Sequence, residues 1–117
     1  RQDVVLVLLG LRFTDEAMRT KFIELSASHA AYCWENEPDT LIYSGGIALD
    51  DGDRDLDIKR GDLIFVMGCT DMAAVEKHRD DPNHLALGAK FAEKGVVLEP
   101  TFHRTYGTAG SGFLWRQ

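Results

Sequence analysis

The chain has few of the residues and motifs that mark specialised classes of protein. It has two cysteines, Cys33 and Cys69, without a CxxC or Cys/His pattern, which excludes a disulfide framework and favours reduced thiols. Lys and Arg are scattered and the net charge is -6, so nucleic acid and anionic membranes are not expected partners. The apolar run at residues 4–10 is too short to span a membrane. We therefore expect a cytoplasmic protein.

The motifs of several enzyme classes are missing as well. The sequence contains no GxGxxG, no P-loop and no GxSxG. His78 and His84 form a His-x5-His pattern, which lacks the i, i+4 spacing and the glutamate of H-E-x-x-H. This spacing argues against a metal site, and we expect no metal ligands.

What remains is the composition of one small globular domain. The 117 residues are 44% apolar and 27% charged, which is ordinary for such a domain. We expect a single domain over residues 1–117, with its core at about residues 4–106. The tail, residues 107–117, is rich in glycine and ends in an apolar segment that we expect to pack on something.

Strands and helices are predicted in the order β-α-β-β-α-β. The helical segment before Asp81-Pro82 and the one after it count as one unit in this order. Such an order predicts an α+β, ferredoxin-like fold with an antiparallel sheet and helices on one face. The other sheet face is also apolar, so we expect a second subunit to cover it. The predicted strands are residues 4–13, 41–49, 62–69 and 96–107, and the predicted helices run from Thr14 to before Pro38, over 72–79 and over 83–95.

Local details predict irregular strands. Gly45-Gly46 predicts a bulge or a close backbone approach in the second strand. Pro100 predicts that the last strand is bulged or lies at an edge. The third strand is apolar on both faces, which predicts a central position.

Three histidines fall on helix faces that a folded domain would bury. His29 shares a face with Phe22 and Tyr32 at helical spacing. It is either a neutral core histidine or a base in a pocket between helix and sheet. His78 follows Ala74 by one turn, and its helix also presents it to the core. The next helix places His84 on one predicted face with Leu87, Gly88 and Phe91.

His78 and His84 bracket the helix break and so could line one cavity. A neutral imidazole can abstract a phenolic or α-carbonyl proton near neutral pH. The alternative is that the histidines, with Asp80 and Asp81, only satisfy the chain turn. Tyr43 and Arg104 could donate hydrogen bonds to a ligand oxygen, and the aromatic-rich core suits a ring-shaped substrate. The expected substrate-binding residues are Tyr43, Trp34, Phe22, Phe91 and Arg104.

Three segments carry a resemblance to known families. ENEPDTLIYSGGIAL (35–49) and CTDMAAVEKHRDDP (69–82) resemble segments of the antibiotic biosynthesis monooxygenase family. DPNHLALGAKF (81–91) resembles the Pro-x-His-x-x-x-Gly segment of the stress-responsive dimeric α/β-barrel proteins, a sister family that includes polyketide cyclases. The element order is similar over about residues 4–106.

The resemblance implies a ferredoxin-like subunit that dimerises through its sheets into a barrel, with a pocket between sheet and helices. It implies oxidation of polycyclic phenols to quinones by oxygen, without metal or flavin, and hence no cofactor. The cyclases use a histidine at the place of His84 and a tyrosine where this chain has His78. The monooxygenases commonly need a tryptophan and an asparagine near the pocket. This chain has Trp34 and Asn36 near the end of the first helix, without a motif that aligns them to those roles. Other superfamily members degrade haem through a proximal histidine.

The hypothesis is therefore a cofactor-independent monooxygenase of aromatic or polyketide secondary metabolism. His78 or His84 would deprotonate a phenol or enol, and the carbanion would react with oxygen to give a quinone. Donors from His29, Tyr43 or Arg104 would stabilise the enolate. A cyclase, isomerase or decarboxylase using the same base is the alternative, and a non-catalytic binding protein with structural histidines is a third hypothesis.

Overall fold

The four strands form one antiparallel sheet in the order β2-β3-β1-β4. This confirms the ferredoxin-like α+β prediction, with β3 and β1 in the centre of the sheet. The computed structural model describes residues 4–53, 57–108 and 112–113. None of the helices in these ranges is long and apolar enough to cross a membrane. The elements are β1 (Val5–Phe13), α1 (Glu16–Asn36), β2 (Thr40–Ile47), β3 (Leu63–Cys69), α2 (Met72–Asp80), α3 (Pro82–Glu93) and β4 (Leu98–Gly107).

Aspartates begin all three helices. Asp15, rather than Thr14, caps α1, and its Oδ1 accepts a hydrogen bond from the Met18 N–H at 2.9 Å. Asp71 caps α2 in the same way. Asp81 ends α2 and caps α3, with Pro82 in the first turn of α3. A side-chain acceptor at each helix start satisfies a backbone donor that has no partner within the helix. One residue therefore separates α2 from α3.

Register shifts occur in both edge strands. The shift in the β1–β4 pair lies between Gly10 and Leu11, where Leu11 pairs with Pro100 and Gly10 pairs with Phe102. The prediction for Pro100 is thus confirmed in both respects, because β4 is an edge strand and is bulged there. The shift in β2 lies between Thr40 and Ile42, so the bulge predicted at Gly45-Gly46 is wrong.

The glycine pair still contains a close approach. A Cβ atom on Gly45 would lie 3.2 Å from the Phe65 ring, which is tighter than ordinary van der Waals contact. Because Phe65 is the partner of Gly45 in the β2–β3 register, the missing side chain leaves room for that ring on the helix side of the sheet.

An apolar cluster fills the space between the first half of α1 and the sheet. Phe22 stacks on Phe91 of α3 with ring centroids 4.4 Å apart and contacts Phe13 and Phe65. Fully burying a side chain of this size contributes about 1.5–3 kcal/mol. The cluster consists of buried Leu11, Phe22 and Leu63 with partly buried Leu9, Phe13, Phe65, Phe91, Val96 and Leu98.

The opposite side of the sheet, called here the outer face, is also apolar. Strand alternation and the pairing register place Leu6, Leu8, Ile64, Val66 and Phe102 on it. The tail from residue 109 onward lies outside the described residues except for 112–113, so the prediction that it packs against the protein is not tested.

Candidate active site

Three imidazole rings meet on the helix side of the sheet. His29 of α1, His78 of α2 and His84 of α3 have ring centroids 5.0–5.4 Å apart. Tyr43 of β2 lies against two of them, with its ring centroid 5.8 Å from that of His29 and 5.4 Å from that of His78. The structure therefore brings together all three predicted catalytic histidines and one predicted substrate-binding residue.

Local sequence explains how each ring reaches this place. His29 is on the buried stripe of α1, which comprises Phe22, Ser26, His29 and Cys33, spaced by one helical turn. His78 follows buried Ala74 by one turn of α2. His84 is in the first turn of α3, and only Asp81 separates α3 from the end of α2.

The direction in which the Tyr43 side chain points depends on a backbone irregularity in β2. Thr40 pairs with Cys69 and Tyr43 with Met67, and the register shift between them inserts one extra residue in β2. A one-residue insertion reverses which face the following side chains take. The bulge therefore turns Tyr43 to the helix side, towards the histidines.

Each histidine holds its Nδ1 proton in a hydrogen bond. The Nδ1–H of His29 donates to Asn83 Oδ1 at 2.7 Å, and that of His78 donates to Glu37 Oε1 at 2.7 Å. The Nδ1–H of His84 donates to the Arg79 carbonyl oxygen at 2.9 Å. Because these oxygens accept, each neutral ring keeps the lone pair on its Nε2 atom. Three basic nitrogens are thus available in one cluster.

Glu37, which follows α1, is a site residue that the sequence interpretation missed. The residue is 8% exposed, and its Oε1 accepts from both His78 and the Thr40 hydroxyl group. Burial raises the pKa of Glu37, but the hydrogen bonds from His78 and Thr40 outweigh it and lower the pKa below its ordinary value. Oε2 is buried and has no hydrogen-bond partner among the described residues. The signal was its position, one turn after Cys33 on the same stripe.

Cys33 and Tyr32 complete the surroundings. Cys33 Sγ lies 3.6 Å from His29 Nε2 and 3.8 Å from His78 Nδ1. Burial, together with the nearby Glu37 carboxylate, raises the pKa of the Cys33 thiol to about 12. The thiol is therefore neutral and only a weak hydrogen-bond partner. The Tyr32 hydroxyl group donates to Asp81 Oδ2 at 2.9 Å, which ties α1 to the junction of α2 and α3.

A cleft of about 460 Å³ opens between α1 and strands β2 and β3. Tyr43 is part of its lining, whereas none of the three histidines is. Burial raises the pKa of Tyr43, so its phenol stays protonated at neutral pH. The Tyr43 ring therefore separates an apolar cleft from the histidine cluster. Other lining residues are Ile23, Ala27, Ala30, Ile47 and Phe65.

Four predicted substrate-binding residues do not join this site. Phe22 and Phe91 stack on each other in the apolar cluster and do not line the cleft. Trp34 is 87% exposed, because it directly follows Cys33 and a helix turns by about 100° per residue. Asn36, which entered only through the family resemblance, also has an exposed side chain, and it donates to the Tyr32 carbonyl group. Arg104 pairs with Leu8 and so lies on the outer face.

Comparisons with known proteins agree with the fold. No protein-family model matches the sequence, and no curated protein matches it significantly. A predicted antibiotic biosynthesis monooxygenase from Caulobacter crescentus has a similar structure, with a TM-score of 0.67, 19% identity, and coverage of 90% of this chain and 89% of that chain. HapK from Hahella chejuensis gives a TM-score of 0.68 at 15% identity over 96% and 99% of the chains.

SnoaB from Streptomyces nogalater, a cofactor-independent oxygenase, is also similar. Its TM-score is 0.59 at 15% identity, over 91% of this chain and 92% of that one. Identities this low establish the fold and leave the activity open. The chain has the fold of these solved structures, a four-stranded antiparallel sheet with its helices on one face.

Proposed function

We propose that the protein is a cofactor-independent monooxygenase that oxidises a phenolic or anthrone-like substrate to a quinone. The observation that carries the proposal is the buried pair of Glu37 and His78, joined at 2.7 Å, beside two further imidazoles and an apolar cleft. The similarity of fold to a cofactor-independent oxygenase supports the reaction class.

His78 is the proposed base. The Glu37 carboxylate holds the Nδ1 proton of His78 and would stabilise the imidazolium that forms when Nε2 takes a proton, as carboxylates do in other catalytic pairs. Burial of both partners strengthens this interaction, because little water screens it. His29 and His84 lie next to His78 and would donate to the enolate oxygen once protonated.

The reaction proceeds by proton removal followed by oxygen addition. His78 takes a proton from the activated carbon of the substrate, and the carbanion reduces O2 as a C–O bond forms. The resulting hydroperoxide loses water and leaves a carbonyl group, so that one oxygen atom enters the product and the other leaves as water. The ring of the substrate would lie in the cleft, and Tyr43, which separates the cleft from the histidines, would turn aside so that the activated carbon reaches His78 and the Tyr43 phenol donates to the substrate oxygen.

The same base also supports a non-oxidative reaction. A cyclase, isomerase or decarboxylase needs the same deprotonation and consumes no oxygen. The specific observation that favours this alternative is the presence of Tyr43 beside the histidines, because a neutral phenol serves as a general acid. Oxygen consumption separates the two reaction classes.

The outer face is the proposed dimer interface. Its apolar side chains, among them Leu8 and Val66, would be buried against the same face of a second copy, since isologous contacts are the commonest in homodimers. A Val66→Lys substitution places a charge in that interface. It should convert the dimer to a monomer in sedimentation experiments, whereas a wild-type chain that sediments as a monomer would refute this assembly.

The main experiment measures oxygen uptake and quinone absorbance with a panel of anthrones and polyphenols. The protein is stripped of metal and compared with its His78→Ala, His84→Ala and His103→Ala variants. His103 is an exposed histidine on β4 and serves as the control. We expect His78→Ala to lower kcat about 10²–10⁴-fold, the usual contribution of a general base, and His103→Ala to have no effect.

The other outcomes are equally specific. Substrate loss without oxygen uptake would replace the oxygenase with the non-oxidative alternative. Undiminished turnover in His78→Ala with a native near-UV spectrum would exclude His78 as the base. If no compound in the panel reacts but a phenol raises the melting temperature, the protein is a binding protein.

A further inference from the structure

We propose that His29, His78 and His84 form a binding site for one divalent transition-metal ion of the zinc type. This goes beyond the proposed function, which requires no metal. The His-x5-His spacing alone does not predict such a site, because it involves only two histidines, which lie on neighbouring helices. The fold adds the third imidazole from α1, 49 residues before His78 in the chain.

The ring nitrogens are close enough for shared coordination. One ligand atom from each of the three histidines lies within 4.8 Å of those of the other two. Nitrogens on a tetrahedral zinc ion are about 3.3 Å apart, from bond lengths of about 2.0–2.1 Å. Rotations about the side-chain bonds would bring the nitrogens to this spacing.

The outer hydrogen bonds have the arrangement that metal-binding histidines use. Such histidines donate the N–H of the other ring nitrogen to a carboxylate, an amide or a carbonyl oxygen, which fixes the tautomer and the ring orientation. Here the acceptors are Glu37, Asn83 and the Arg79 carbonyl group. Each neutral ring therefore keeps its Nε2 lone pair for a metal, and at His29 the metal would take the place of the weak contact with the Cys33 thiol.

Charge and ligand softness point to the class of ion. The Glu37 carboxylate is buried, and its Oε2 atom has no hydrogen-bond partner among the described residues, so its negative charge is available to offset a cation. Neutral imidazoles suit Zn²⁺, Co²⁺ and Cu²⁺ better than Mg²⁺ or Ca²⁺, which prefer oxygen ligands. The contact between the Cys33 thiol and His29 Nε2 is 3.6 Å long, a weak bond that a metal would replace.

The test titrates the full chain, metal-stripped and without a polyhistidine tag, with Co²⁺. Four-coordinate Co²⁺ absorbs visible light strongly, so binding is measured without substrate. We expect one Co²⁺ per chain, displaced by one equivalent of Zn²⁺. His84→Ala should weaken binding at least tenfold, and His103→Ala should bind like the wild type. His84 is chosen because it is only partly buried, and near-UV circular dichroism checks that the variant is folded.

Glu37→Gln provides a second, independent variant. Removing the outer partner of a ligating histidine typically weakens metal binding 10–100-fold, and we expect that range here. The proposal is overturned if the wild type shows no visible Co²⁺ bands, or if a folded His84→Ala chain binds as tightly as the wild type. It is also overturned if His103→Ala weakens binding as much as His84→Ala does.

The outcome is independent of the proposed function. Co²⁺ binding without any oxygen uptake would support the metal site and refute the oxygenase, and the reverse result would do the opposite. If both hold, Zn²⁺ should inhibit the metal-free reaction, because it takes the Nε2 lone pair that the base needs, and a chelator should restore the activity.

Discussion

The buried stripe of α1 has two halves with different chemistry. At Phe22 the helix packs on phenylalanine and leucine side chains from β1, β3, β4 and α3. From His29 through Cys33 to Glu37 the same stripe contacts imidazole, thiol and hydroxyl groups. The spacing and burial are alike, so position on the helix does not explain the difference. A buried polar half in a domain of this size costs stability unless its groups are paired, and here hydrogen bonds pair His29, Glu37 and His78.

The two halves should respond differently to truncation. Phe22→Ala removes a ring that stacks on Phe91, and we expect a loss of about 3–5 kcal/mol in the free energy of unfolding. Urea unfolding followed by circular dichroism measures the loss. Ile23→Ala is the neighbouring control, because Ile23 is 40% exposed and should cost far less. Similar losses from both changes would show that the apolar half is not the stabilising one.

The polar half should protect the Cys33 thiol from alkylating reagents. Burial and the Glu37 carboxylate raise the pKa of Cys33 from 9.0 to about 12, which lowers the thiolate fraction about a thousandfold at pH 8. Iodoacetamide should therefore label Cys33 only in urea, as mass spectrometry of a Cys69→Ser chain would show. Rapid labelling of the folded chain would mean that the polar half is open to solvent.

Glu37 should make the stability contributed by the polar half depend on pH, whereas the stability contributed by the apolar half should not. Its pKa is lower in the folded chain than the ordinary value of 4.5. It therefore contributes stability that is fully present above about pH 4.5 and is lost as the pH falls through the lower, folded-state pKa. Glu37→Gln should cost about 1–3 kcal/mol at pH 7, and the difference from the wild type should shrink towards pH 3.

Urea unfolding at several pH values measures this difference. Glu35→Gln, an exposed change two residues earlier in α1, is the control and should leave the curve unaltered. A difference between the wild type and Glu37→Gln that stays constant from pH 7 to pH 3 would contradict the depressed pKa.

The element order and the inward histidines were predictable from sequence, since apolar periodicity and aspartate caps are local signals. The side of the sheet on which Arg104 lies was not predictable, because the extra residue at the β4 bulge reverses the face that each following side chain takes. Leu98, before the bulge, packs with the helix-side core, whereas Arg104 pairs with Leu8 on the outer face. Without that bulge Arg104 would have faced the helices.

The remaining differences between the sequence predictions and the structure come from errors in the predicted helix phase. The predicted stripe of α1 included Tyr32, whereas Cys33 is the residue buried at that turn. A shift of one residue explains why Glu37, one turn after Cys33, was missed. In α3 the same uncertainty placed Gly88 inward, whereas Leu87 is buried and Gly88 is exposed.

The smallest predicted effect tests whether the two halves act independently. α3 packs on both halves, because its His84 contacts the polar half and its Phe91 contacts the apolar half. Gly88 lies between these two residues, and an added Cβ atom there would meet nothing within 4 Å. Gly88→Ala should stabilise the protein by about 0.5–1 kcal/mol, because alanine loses less backbone entropy in a helix. Thermal unfolding measures the gain, and turnover or Co²⁺ affinity should stay the same. If turnover or metal affinity changes along with stability, α3 couples the two halves and the site depends on the flexibility of that helix.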